Sequence, residues 1–221
     1  MMICPETFYE TNLKGKSPEQ ILTVIRRLKR EIGRLKNVME HPDYAQSPRI
    51  CPREDVRIWS LRMYLERAIV ALEETGERYV PSAAEQKAAA FDARIPNIHQ
   101  VVFSIGGHFT GYETKTFTIK GEQVHTYVEH TFYLKPSNFD DSQIEPLDKE
   151  EFLEQLQSLH IGEWRRKYDL KRFGCETCDG IQWRLEIYYR DSHRSIRICG
   201  NNGYPYNFSR LLELFEIEIS I

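Results

Sequence analysis

The chain has 221 residues, 41 % of them hydrophobic and 29 % charged, with a formal net charge of −3. That is the composition of a globular protein long enough for one large domain or two small ones, and its charge balance excludes a general pull toward nucleic acid or an anionic membrane. No apolar run reaches the ~18–20 residues of a membrane-spanning helix, and five scattered cysteines, at 4, 51, 175, 178 and 199, favour free thiols in a cytoplasmic protein over a disulfide framework.

The opening MMICPETFYETNLKGK lacks the apolar stretch of a signal peptide. The first strong element is 17–40, SPEQILTVIRRLKREIGRLKNVME. Ser17 is placed to cap it, Pro18 suits the first helical position, and Gln20 stands where the partner of a capping box belongs. Ile21, Ile25, Leu28, Ile32, Leu35 and Met39 recur at alternating spacings of four and three, the period of a coiled-coil seam. Pro42, Pro48 and Pro52 mark a loop. REDVRIWSLRMYLERAIVALEETG then repeats the pattern with Ile58, Leu61, Leu65, Ala68 and Leu72 before Gly76 ends it. Two such helices joined by a loop predict an antiparallel hairpin. Trp59, Met63 and Val70 fall off the seam, which predicts a second buried face on the second helix. PSAAEQKAAAF (81–91) is alanine-rich without a seam and reads as a short connecting helix, so the helical half is expected to span 1–94.

From 95 the period changes to two. HQVVFSI, TKTFTI and HTYVEHTFYL predict three strands, closely enough spaced for antiparallel pairing. Asp148 and Glu151 open the helix DKEEFLEQLQSLH, which carries Phe152, Leu156 and Leu159 on one face. IQWRLEIYYR and HRSIRIC predict a hairpin around Asp191-Ser192. Trp183, Leu185, Ile187 and Tyr189 share one face of its first arm; Gln182, Arg184, Glu186 and Arg190 share the other. YNFSRLLELF closes as a helix, and EIEISI as an edge strand. The expected fold is α+β: a helical hairpin, then over 95–221 an antiparallel sheet of about five strands packed with two helices. One sheet face should be covered and the other partly polar.

Chemical motifs are few. Cys175-x-x-Cys178 has the spacing of half a zinc site, which Cys199 and His193 would complete. The same stretch also reads as a turn in which Asp179-Gly180 starts a strand, and on that reading, adopted here, no metal or cofactor is expected. His108, His125 and Glu129 are the candidate acid–base residues of a hydrolase or nuclease; His125 and Glu129 share a strand face, and His130 takes the other. SIGGHFTGYE lacks the glycine pattern of a phosphate loop. GNNGYPYNF leads into a helix whose N-terminus suits an anion or forms a left-handed turn. No nucleophile motif occurs.

Between Lys14 and Lys36, eight Lys and Arg stand against Glu19 and Glu31. Arg27, Arg30 and Arg34 form one stripe, flanked by Arg26, Lys29 and Lys36. Such a stripe can track a phosphate backbone, or it is a solvated face partly paired with Glu54, Asp55, Glu66, Glu73, Glu74 and Glu77 of the second helix.

The segments Asp179-Gly180-Ile181-Gln182-Trp183 and Tyr204-Pro205-Tyr206-Asn207-Phe208, with the LLELF ending, resemble a domain of bacterial proteins of unknown function, over about 98–217. The resemblance implies that the first segment opens a strand and the second a helix; it implies no activity, cofactor or partner. The expected function is therefore a non-enzymatic binding protein, an adaptor, regulator or inhibitor. Its partner is another protein or a second copy, met through the hairpin (Arg27, Arg30, Arg34, Trp59) and the exposed sheet face. Nucleic acid along the basic helix and hydrolysis at the histidines are the alternatives.

Overall fold

The structure, a computed structural model, describes residues 3–48, 51–107, 111–131, 145–175, 180–191 and 194–218. Contacts divide the chain into two units, Met1–Ser82 and Ala83–Ile221, each with its own apolar core.

The first unit holds three helices, α1 (Pro5–Asn12), α2 (Pro18–Met39) and α3 (Glu54–Glu74). The capping box of α2 forms in both directions: Ser17 Oγ accepts from the Gln20 N–H and Gln20 Oε1 from the Ser17 N–H. Behind it Ile21, Ile25, Leu28, Ile32 and Leu35 are buried, each contributing on the order of 1.5–3 kcal/mol. Ala68 and Leu72 of α3 share a cluster with the first of these, and Leu61 and Leu65 pack against it. Gly76 follows α3 at φ +87, where a residue with a Cβ would be strained.

Helix α1 lies in a stretch from which no helix is expected, because eight residues with one buried side chain show no period to read. Cys4 caps it by accepting from the Thr7 N–H. Phe8 stacks on Tyr64 of α3 at 4.4 Å, nearly parallel, and the Tyr64 hydroxyl donates to the Ile3 carbonyl at 2.6 Å. The second face predicted to be buried on α3 is a different matter. Trp59 is 62 % exposed and Val70 47 %, because no described element covers them.

The second unit carries α4 (Ala83–Asp92), β1 (Ile98–Gly107), β2 (Gly111–Lys120), β3 (Gln123–Thr131), β4 (Leu147–Asp148), α5 (Lys149–Ser158), β5 (Lys167–Asp169), β6 (Gln182–Tyr189), β7 (Ile196–Asn201) and α6 (Phe208–Leu214). Its sheet has seven strands in the order β4-β3-β2-β1-β6-β7-β5. The strands with visible alternation pair antiparallel. β4 and β5 are two and three residues long, too short for alternation to show, and β5 runs parallel to β7. The sheet is therefore mixed and larger than the five antiparallel strands expected. No strand forms at 216–218: Glu216 turns the chain after α6 at φ +50. The rest of the predicted edge strand lies outside the described residues, as does Ser192 of the predicted turn.

One sheet face is apolar. Phe103 of β1 is fully buried and meets Trp183 of β6 and Phe208 and Phe215 at ring distances of 6.4, 6.1 and 5.3 Å. Phe152 and Leu156 of α5 join the same core, and Asp148 caps α5 by accepting from the Glu151 N–H at 2.9 Å. Helix α4, expected in the helical half, packs with the second unit. Phe91 lies in the sheet's core, and a Cβ on Gly162 would stand 2.8 Å from the Ala88 Cα, so the two backbones meet where only glycine fits. The units divide between 82 and 83, not near 94.

Candidate functional site

The other sheet face is polar, and strand register sets its rows. One row runs Glu129, Thr114, Ser104, Arg184, Cys199, Lys167; the next runs Thr131, Tyr112, Gly106, Gln182, Asn201, Asp169. The predicted face assignment of β6 holds, with Trp183, Leu185, Ile187 and Tyr189 buried and Gln182 and Arg184 exposed. Between these rows lies a hollow of about 510 Å³ lined by Ser104, Thr114, Tyr112, Gln182, Arg184 and Asn201, among others. Ser104 and Thr114 share a hydrogen bond at 2.9 Å, the Tyr112 hydroxyl donates to Gln182 at 3.0 Å, and Lys167 is paired with Asp169. Further along, Glu186 pairs with Arg197 and accepts from the Tyr188 hydroxyl at 2.8 Å. That hydrogen bond to a carboxylate, with partial burial, holds the Tyr188 phenol above its usual range.

His125 and Glu129 both lie on this face of β3, opposite Thr118 and Thr114. Four residues apart on a strand, they are separated by about 13 Å at ~3.3 Å per residue, too far to share a proton. His130 lies opposite Glu113, on the other face. His108 lies outside the described residues, so of the three acid–base candidates two are placed and those two are not brought together.

For the thiol set, Cys175 is exposed and Cys199 half-buried, both free; Cys178 and His193 lie outside the described residues. Among the described residues no three His, Cys, Asp or Glu converge as a metal site. What the structure brings together instead are the two resembling segments. Asn202 Oδ1 accepts from the Ile181 N–H at 2.8 Å and packs where a Cβ on Gly180 would be. Trp183 donates its indole N–H to the Gly203 carbonyl at 2.9 Å. Buried Asn207 accepts from the Trp164 indole at 3.1 Å and donates to the Leu159 carbonyl at 2.7 Å. Every polar contact described there is structural, between the chain's own backbone and side chains. α6 is seven residues long and Asn207 makes no side-chain cap to it.

On α2, Arg27 and Arg30 are exposed. Arg34 is held by Glu31 through two hydrogen bonds of 2.8 Å, and Arg57 of α3 reaches the same carboxylate at 3.1 Å. The guanidinium of Arg34 keeps the Glu31 carboxyl below the ordinary carboxylate range. Of the acids of α3, Asp55 pairs with Arg53 and Glu74 with Arg67, while the charge of Glu54 acts on Arg34 of the stripe.

Two clusters escape sequence reading: Arg184 with the hydroxyls around it, and the cations Lys87, Arg94 and Arg166 around a cleft on the opposite side of the sheet. Alternation places Arg184 on the polar face, but the hydroxyls come from other strands and are joined to it only by register. No family model, curated protein or solved structure matches the chain. Among the described residues no helix is long and apolar enough to cross a membrane.

Proposed function

We propose that this is a non-enzymatic binding protein, an adaptor, regulator or inhibitor, that docks an amphipathic helix of a protein partner along the outer stripe of α3. The observation that carries the reading is Trp59, a large aromatic 62 % exposed on the same helix face as Val56, Met63 and Val70. Their spacings of three, four and seven repeat a heptad, and Val56 and Val70 are exposed as well. Exposed aromatic and aliphatic side chains in register are the anchors of helix-in-groove recognition. A second copy of this chain is one source of such a helix, and the polar sheet face offers a further contact surface. Sedimentation of the full chain over a concentration range, with capture of partners from lysate, tests the reading. Trp59→Glu should abolish the association, whether with itself or with the captured protein; association equal to wild type in Trp59→Glu would remove the stripe from consideration.

Arg27 and Arg30, exposed and without a hydrogen bond or ion pair to a described residue, support nucleic-acid binding as a second reading. Retention on a duplex that falls steeply with added salt and with Arg30→Glu is its expected signature; retention indifferent to salt would sink it.

A further inference from the structure

We propose that the cleft between α4, the segment 161–166 and β7 binds a small organic acid, a carboxylate carried on a compact apolar body. The cleft is separate from the α3 stripe and does not depend on the reading above. Helix α4 presents Lys87 and Phe91 to it, four residues apart on one face, and Arg94 reaches it from the turn that follows α4. Trp164 and Arg166 form the facing wall, and Ile198 of β7 lies at its floor. Phe91, Trp164 and Ile198 are almost wholly buried, so the body of the cleft is apolar while its rim is cationic.

Among the described residues, three positive side chains line this cleft and no carboxylate does. Neither the Arg94 nor the Arg166 guanidinium makes a hydrogen bond or ion pair to a described residue, and among the described residues the Lys87 ammonium reaches the Trp164 carbonyl alone, at 3.4 Å. Elsewhere on the molecule arginines find carboxylates, as Arg34, Arg53, Arg57, Arg67 and Arg197 do. Two guanidiniums left without an acid beside an apolar wall match a planar carboxylate, which each can hold in a two-pronged fashion.

Tyr189 points the same way. It is buried, and its hydroxyl has no hydrogen-bond partner among the described residues. Burial pushes its phenol up, while the charges of Arg94 and Arg166 act to bring it down, so both guanidiniums lie within electrostatic reach of one buried hydroxyl next to the cleft rather than in its lining. Asp191 also acts on Tyr189, but it does not line the cleft.

Size restricts the ligand. At about 200 Å³ the cleft is smaller than the ~300–1,000 Å³ of a pocket for drug-sized molecules. One ring or a short branched chain fits, whereas a nucleotide does not.

Calorimetric titration of the full chain at low salt with phenylacetate, phenylacetamide and inorganic phosphate tests the proposal. Phenylacetate should bind, and the isosteric amide should bind at least roughly tenfold more weakly, the scale of one charge-assisted contact. Arg94→Gln and Arg166→Gln, checked for unchanged thermal unfolding, should each weaken phenylacetate by a similar factor and leave the amide unaffected. Equal affinity for acid and amide, or no binding of phenylacetate by ~10 mM, overturns the proposal. Phosphate binding as tightly as phenylacetate, and lost in the same variants, would overturn the apolar-body assignment.

Discussion

Two residues show how local surroundings set ionisation on this chain. The Tyr44 hydroxyl donates to Glu54 at 2.9 Å; burial first, then the hydrogen bond to Glu54 and its charge, push the phenol up to about 12. An unfolded tyrosine ionises near ~10. The folded state therefore favours the protonated phenol, and its contribution to stability is fully present below about 10 and lost as pH rises through about 12. Denaturant unfolding at pH 8.5 and 11.5 should show wild type losing more stability than Tyr44→Phe over that interval, and equal losses would contradict the coupling. Cys4 moves the opposite way. Its sulfur is 3.1 Å from the Thr7 hydroxyl and accepts from the Thr7 N–H at 3.4 Å, and these contacts hold the thiol below its ordinary value. Site-resolved alkylation by mass spectrometry should show Cys4 reacting with a midpoint below that of an unperturbed thiol. Thr7→Val should raise that midpoint, and an unmoved midpoint would mean that the hydroxyl is not the cause.

Elements differ in how plainly the chain writes them. The α2 seam and capping box and the alternation of β1, β2, β3, β6 and β7 were legible because their signals are local: a helical or two-residue period acts over several consecutive residues. β4, β5 and α1 were not, since two to eight residues with at most one buried side chain carry no period. They exist because a neighbour holds them, as β7 holds β5 and Tyr64 holds α1. The same limit hid the cleft at α4, where Lys87 and Arg94 meet Arg166 only through tertiary packing. It also left Trp59 readable both as part of a covered face and as a binding residue, because an off-seam aromatic looks alike whether covered by the chain or by another molecule. The segment Tyr204–Phe208, which in sequence suits either an anion or a turn, serves packing. Asn207→Ala would leave the Trp164 indole N–H and the Leu159 carbonyl buried without partners, at ~1–3 kcal/mol for each group. Urea unfolding should therefore show a loss of about 2–6 kcal/mol, while a loss below about 1 kcal/mol would mean that the site relaxes to satisfy both groups.

At the scale of the whole molecule the question is where one folding unit ends and the next begins. A reading by period places the break near 94, where helix gives way to strand. Packing places it before α4, because a helix belongs to the core that buries it rather than to the class of element beside it in the chain. Phe91 of α4 is 6 % exposed in the sheet's core, and the close approach of Gly162 to Ala88 leaves α4 in contact with the segment that leads into β5. A chain of residues 83–221 retains that whole core and is of a length at which a domain buries enough surface to fold alone. A chain of 95–221 lacks Phe91 and the Ala88 contact, and opens the floor of the cleft to water. Removing a buried aromatic alone costs ~3–5 kcal/mol, a large part of the ~5–15 kcal/mol of a typical domain. Residues 83–221 should therefore unfold in one cooperative transition with the near-ultraviolet circular dichroism of buried tryptophans. Residues 95–221 should melt at least roughly 9 °C lower, at ~3–4 °C per kcal/mol for a domain of this intermediate size, or lose that signal. Equal melting of the two would show that α4 contributes nothing to the second core.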